Sequence, residues 1–184
     1  MSDLFDRVTG EMDGLSKLLS KIPGFKGYME RKNRRQADKM LRENIATRFE
    51  EIWKRISSLQ RDLISEGGID QIDKLEAAAI KIRQFIDRIR TAAYGYAGFF
   101  AAVKIREEEL AKVYTYDAAL LDLADEVNRA VDNVEASLGT DGLPASIRNL
   151  TNLAAKCVET FNHRSEVMQM GDSAEDSTST PAGQ

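Results

Sequence analysis

The chain has 184 residues, 42% of them hydrophobic and 30% charged, with a formal net charge of −4. That mixture is too apolar for a disordered chain, and the acidic balance argues against a generic nucleic-acid binder, whose footprint is basic. A single cysteine, Cys157, excludes an internal disulfide and fits a reducing compartment.

The first ten residues, MSDLFDRVTG, carry Asp3 and Asp6 where a secretory signal would carry basic residues, and no apolar run follows. The longest uncharged stretch of the helical body, Thr91 to Val103, is shorter than the roughly 20 residues that cross a bilayer. Prolines occur only at 23, 144 and 181. Their scarcity permits very long helices, because a proline inside a helix costs about 3 kcal/mol.

The sequence predicts five helices. The first covers about 2–22, with Leu4, Phe5, Val8, Met12, Leu15, Leu18, Leu19 and Ile22 mostly at three- and four-residue steps on one face. Pro23 and Gly24 end it. The second spans about 28–66, and Ile45, Phe49, Ile52, Ile56, Leu59 and Leu63 form a heptad seam that asks for a partner helix. Gly67 and Gly68 end it by offering the positive φ of a helix C-cap.

The third helix opens at Asp70 as the expected N-cap and carries the seam Ile72, Leu75, Ala79, Ile82, Ile86, Ile89, Ala93, Tyr96. A thin stretch of alanines and glycines follows, from Ala92 to Ala102. The turn is placed near Val103 to Ile105, because Glu107, Glu108 and Glu109 suit the positive end of a new helix. One continuous helix over 70–138 is the rival reading. The fourth helix covers about 106–138, with Leu110, Val113, Leu120, Ala124, Val127, Val131, Val134 and Leu138 as its seam. A turn over 139–142 follows. Pro144 opens the fifth helix, which runs to about Met168 on Ile147, Leu150, Ala154, Cys157 and Phe161.

The fold class expected is therefore all-α. It is an up-down bundle of four long antiparallel helices with an N-terminal amphipathic helix and a disordered C-terminal tail. The domains read as 1–24 for the amphipathic helix, 25–169 for the bundle and 170–184 for the acidic tail. The second helix is net basic and the fourth net acidic, which favours their adjacency.

No catalytic or metal motif emerges. A carboxylate-bridged di-metal bundle needs Glu-x-x-His on two helices, and the one histidine, His163, has Thr160 three residues before it. Cys157 lies on the fifth seam as a small buried hydrophobe, six residues from His163 rather than four. Phosphate-loop, dinucleotide and nucleophile-elbow glycine patterns are missing. Asp117 falls where the fourth seam calls for an apolar residue. Buried, it would need a tyrosine hydroxyl or an arginine from another helix; the simpler expectation is a slightly rotated helix with Asp117 facing water.

The function expected is a non-enzymatic scaffold, with no cofactor and no metal, acting through protein–protein contacts or self-association in the cytoplasm. Aromatics beside small residues, Tyr94, Tyr96, Phe99 and Phe100, are the expected contact or pocket residues. The alternative is a peripheral membrane protein. Residues 1–24, with Phe5 near the start, would lie in the interface, and the cluster Lys26, Arg31, Lys32, Arg34, Arg35, Lys39 and Arg42 would meet anionic lipid or a partner; the simpler expectation is that the first helix docks on the bundle and the cluster is a solvated face answering the acidic fourth helix.

Overall fold

A computed structural model describes residues 14–30, 34–66, 68–92 and 107–176. Its described residues are helical, with no strand among them. The helices are α1 (residues 14–21), α2 (Phe25–Glu30), α3 (Arg34–Ser65), α4 (Ile72–Thr91), α5 (Glu107–Ala136) and α6 (Leu143–Asp176), with a 3-10 turn at Ile69–Gln71 before α4.

Turn chemistry sets several of these limits. Gly24 takes φ +80°, a left-handed value glycine adopts without steric penalty. It follows Pro23, as the sequence requires, but the chain returns to helix at Phe25 at once. Helix is therefore present from Phe25, ahead of the start expected near Tyr28; residues 31–33 lie outside the described residues, and α3 is described from Arg34. Asp70 does not cap α4: it lies inside the 3-10 turn, whose N-cap position is Gly68 without a side-chain cap bond. The Asp70 carboxylate instead accepts a bond from Gln71 Nε2 at 2.7 Å. Gly139 takes φ +69° in the turn between α5 and α6, where the Ser137 and Ser146 hydroxyls lie 2.8 Å apart. Helix α6 runs to Asp176, past the end expected near Met168. The boundary expected near Val103 falls on 93–106, and Gly67 is likewise outside the described residues.

The chain divides into two compact units, the first formed by 1–41, 91–119 and 162–184, the second by 42–90 and 120–161. In the second unit the seams read from the sequence are the core. Ile45, Phe49, Ile52, Ile56, Leu59 and Leu63 of α3, and Leu75, Ala79, Ile82, Ile86 and Ile89 of α4, are all buried. So are Leu120, Ala124, Val127, Val131 and Val134 of α5, and Ile147, Leu150, Ala154, Cys157 and Phe161 of α6. Phe85 adds the centre of an aromatic cluster, 4.6 Å from Phe49 and 5.8 Å from Phe161 between ring centroids, both edge-on. Such pairs contribute about 0.5–1.5 kcal/mol beyond their burial. The basic α3 and acidic α5 meet as their charges suggest. Arg55 donates to Asn128 Oδ1 and Asp132 Oδ1, each at 2.6 Å, and to Glu135 Oε2 at 3.2 Å.

In the first unit Leu18, Ile22 and Phe25 are buried with Ala37, Leu41, Leu110, Val113, Tyr114 and Met168. Phe25 packs edge-on against Tyr114 at 5.9 Å, and Gly14 lies against the backbone of Thr115. Leu18, Ile22 and Phe25 are therefore covered by protein, while Leu19 of the same face is 39% exposed. No helix among the described residues is long and apolar enough to cross a membrane.

Candidate functional site

The position that breaks the apolar pattern of α5 is the centre of the first unit. Asp117 and Arg164 are each 0% exposed, and Asp38 is buried with them. Arg164 Nε donates to Asp117 Oδ1 at 2.6 Å and Nη2 to Asp117 Oδ2 at 3.3 Å, a two-pronged contact that fits the planar guanidinium. Nη2 also donates to Asp38 Oδ1 at 2.5 Å, and Nη1 to Met168 Sδ at 3.1 Å. One buried cation from α6 therefore ties α3 to α5. The expectation that Asp117 turns to water is corrected: it stays on the seam because α6 supplies an arginine there.

The electrostatics follow from this geometry. Burial alone would push the Arg164 guanidinium down, but Asp117 and then Asp38 outweigh it and hold its pKa above the usual arginine value. Arg164 thus stays charged at every accessible pH. Tyr114 lies close by, and burial first, then the Asp117 charge, raises its phenol well above the ordinary range; it remains a neutral hydroxyl.

The basic cluster is only partly a surface. Lys26, Arg35 and Lys39 are exposed and Arg34 is half-buried, all in the first unit. Arg35 and Lys39, four apart on α3, share a face. Arg42 is only 4% exposed, so it does not belong to an exposed patch. Its Nη1 donates to the carbonyl oxygens of Ile89 at 3.2 Å and Arg90 at 3.4 Å. These carbonyls belong to the last turn of α4, where a cation suits the helix dipole. Phe5, Arg31, Lys32, Tyr94, Tyr96, Phe99 and Phe100 lie outside the described residues.

That placement yields a prediction. Arg42→Leu keeps the apolar stem but removes both of these hydrogen bonds. It should cost about 1–3 kcal/mol, read as a lower urea midpoint followed by the fluorescence of Trp53, which lies in the same unit. A midpoint equal to wild type would show that water replaces the guanidinium.

Two grooves open on the second unit. One, of about 310 Å³ between α3 and α5, is polar and lined by Arg48, Glu51, Arg55, Asp125 and Asn128. The other, of about 270 Å³ between α4 and α6, has an apolar floor of Ala77, Pro144 and Ile147 with Lys74 and Arg148 on its rim. Among the described residues no group of three or more His, Cys, Asp or Glu side chains could hold a metal ion. His163 is exposed, stacks on Tyr116 at 6.2 Å and lies 3.3 Å from Glu166 Oε2.

Cys157 is fully buried, and burial pushes its thiol up to about 12. The reactive form is the thiolate, so a thiol reagent at about pH 8 should label the native protein far more slowly than the urea-unfolded one; equal rates would refute the burial. The raised value also sets a sign. The unfolded thiol releases its proton near pH 8.5 and the folded one near 12, so this group's contribution to stability is intact below about pH 8.5 and is lost as pH rises toward about 12.

No family model, curated protein or solved structure matches the chain. Fold and site alone define its class: an all-helical protein whose first unit is built around a buried arginine between two aspartates. Sequence reasoning singled out Asp117 but missed Asp38 and Arg164. The signal was present, since Arg164 follows Phe161 by three residues on the fifth seam and Asp38 precedes Ile45 by seven on the second.

Proposed function

We propose that this chain is a non-enzymatic helical interaction protein, working through protein–protein contacts, self-association first among them. One observation carries the reading. Ile64, Ile69 and Ile80 of the second unit are 54%, 66% and 50% exposed, and Ile80 lies one turn beyond Ala77, which floors the apolar α4–α6 groove. A single exposed isoleucine is commonplace; one that stands a helical turn from a residue of an apolar groove adds exposed apolar surface beside it, and such patches mark contact surfaces. Within the second unit Arg42, Phe49 and Trp53 meet residues 89–90, 85 and 83 respectively. Positions rising along α3 against positions falling along α4 support an antiparallel, up-down layout for the bundle. We place the protein in the cytoplasm on its lone buried cysteine.

The membrane reading has less support. Leu18, Ile22 and Phe25, three of the apolar residues that an interfacial helix would lend to lipid, are covered within the first unit, although Leu19 is exposed and so are Lys26, Arg35 and Lys39.

Sedimentation velocity over a concentration series tests the proposal. The full chain should run above its 20.6 kDa monomer mass, and Ile80→Glu, a surface change worth only about ±0.5 kcal/mol to the fold, should return it to monomer. A monomer at every concentration, joined by cosedimentation with anionic vesicles that salt reverses, would hand the function to the membrane alternative.

A further inference from the structure

We propose that α4 carries a docking face for a second copy of this chain, and that the two copies lie antiparallel about a twofold axis at Ala77. The proposal rests on the self-association reading above and gives it a surface, a register and a symmetry.

The face is the side of α4 that the core of the second unit leaves over. Leu75, Ala78, Ile82, Phe85 and Ile89 are buried on the inner side of the helix. On the outer side Asp73, Ala77, Ile80 and Gln84 are exposed and Lys81 is half-buried. These five lie three or four residues from one another along the helix, so they form one stripe. Its middle is apolar, Ala77 with Ile80. Its start is acidic and its end basic. Ala77 is also shared with the α4–α6 groove, which widens the apolar middle.

A stripe with opposite charges at its two ends is complementary to itself when turned end for end. Asp73 and Lys81 each lie four residues from Ala77, about 6 Å along the helix. Turned about Ala77, the Asp73 carboxylate of each copy meets the Lys81 ammonium of the other, and the pair occurs twice, as an isologous contact requires. Ala77 ends at its Cβ, so the two backbones can approach at the axis to the usual interhelical distance of about 8–10 Å. Ile80, 50% exposed in the single chain, is then covered beside it. Seven residues out, Asp70 faces the uncharged Gln84.

The same charges reject the other arrangements. A parallel pair sets Asp73 on Asp73 and Lys81 on Lys81. An antiparallel pair turned about Ile80 sets Asp73 on Asp87. Like charges facing each other across an interface are costly, so the pattern selects one direction and one register. A contact of one helix pair is at the small end of interface sizes, so the dimer is weak and reversible.

Sedimentation velocity on charge-swapped full chains tests the pairing. Asp73→Lys sets lysine on lysine and Lys81→Glu sets acid on acid, so each variant alone should dimerise at least about ten-fold more weakly than wild type. An equimolar mixture of the two should recover wild-type dimerisation, because the heterodimer contains both opposite-charge pairs. The double variant should recover it too. Urea midpoints read by Trp53, in the same unit, check that each variant is folded. Cross-linking gives a second readout that alters no charge. Under copper–phenanthroline oxidation Ala77→Cys should form a covalent dimer, since Cα atoms at the axis come within the roughly 4.4–6.8 Å that a disulfide spans. Gln84→Cys on the same stripe should not, because the two copies of that position stand about 21 Å apart along the helices. The native Cys157 is buried and should give no cross-link of its own. A wild type that dimerises while both swaps dimerise as tightly, a mixture no tighter than its components, or cross-linking at position 84 but not 77 overturns the proposal and leaves self-association to another face. A wild type that is monomeric at every concentration overturns the self-association reading itself, and this proposal with it.

Discussion

Arg164→Met should destabilise the first unit by about 3–5 kcal/mol, the scale on which removing one partner of a buried ion pair acts. Methionine fills most of the arginine stem, so the cost is electrostatic rather than a cavity. Two carboxylates, Asp117 fully buried and Asp38 nearly so, would be left facing each other with no cation between them. The aspartate substitutions should be milder in a definite order. Asp38→Asn leaves Asp117 as a matched partner through its two-pronged contact and should cost about 1–3 kcal/mol, the scale of one buried hydrogen bond lost. Asp117→Asn removes the partner that makes two of the contacts and should cost more than Asp38→Asn. Urea unfolding, followed by exchange protection of residues 110–118 and 164–168, measures all three. An Arg164→Met cost under about 1 kcal/mol would place the guanidinium in water, where ion pairs are worth that little.

Much of this arrangement was legible because helices repeat. The seams of α3, α4, α5 and α6 were read from three- and four-residue steps alone, and the described residues on them are buried except Ile72 and Leu138, which are half-buried. A face that recurs every 3.5 residues has to be covered whatever covers it. The same logic carried further finds the ionic centre. Asp38, Asp117 and Arg164 each fall on the apolar register of their own helix. Two acids and one base in such positions on three helices satisfy one another only if the helices bring them to a common level. Taken one helix at a time, a lone seam aspartate looks like a rotated helix; taken together, the three look like a lock. Arg42 failed for a different reason. It belongs by sequence to a run of basic residues and by three-dimensional placement to the end of α4. A side chain that caps another helix leaves no local trace, because its partners are backbone carbonyls 47 and 48 residues away. The resumption of helix at Phe25 was equally hidden, since Gly24 announces a break but not how soon helix resumes.

Phe85→Ala should be the most costly single truncation in the second unit, at about 3–5 kcal/mol. Phe85 is fully buried and is the ring that both other members of the cluster touch, Phe49 at 4.6 Å and Phe161 at 5.8 Å. Its loss therefore removes two edge-on contacts as well as the transfer energy of the ring. Collapse into the gap is opposed from both sides. Phe49 lies on α3 within the seam Ile45–Phe49–Ile52, and Phe161 is held on its other face by the Arg88 guanidinium at 5.2 Å from the ring centroid. Phe85→Leu keeps more of the volume but makes neither ring contact, so it should cost less than alanine. For a chain of this length each kcal/mol lowers the melting temperature by roughly 2–4 °C, which places the alanine variant about 6–20 °C below wild type. As an internal scale, Arg55→Ala removes three contacts to Asn128, Asp132 and Glu135 on the exposed face of the same unit and should change stability by only about 0–1 kcal/mol. Urea titrations of these variants, read by Trp53 in the same unit, compare apolar packing with surface charge directly. If Arg55→Ala proved as damaging as Phe85→Ala, the second unit would be held by its surface charges rather than by its apolar core.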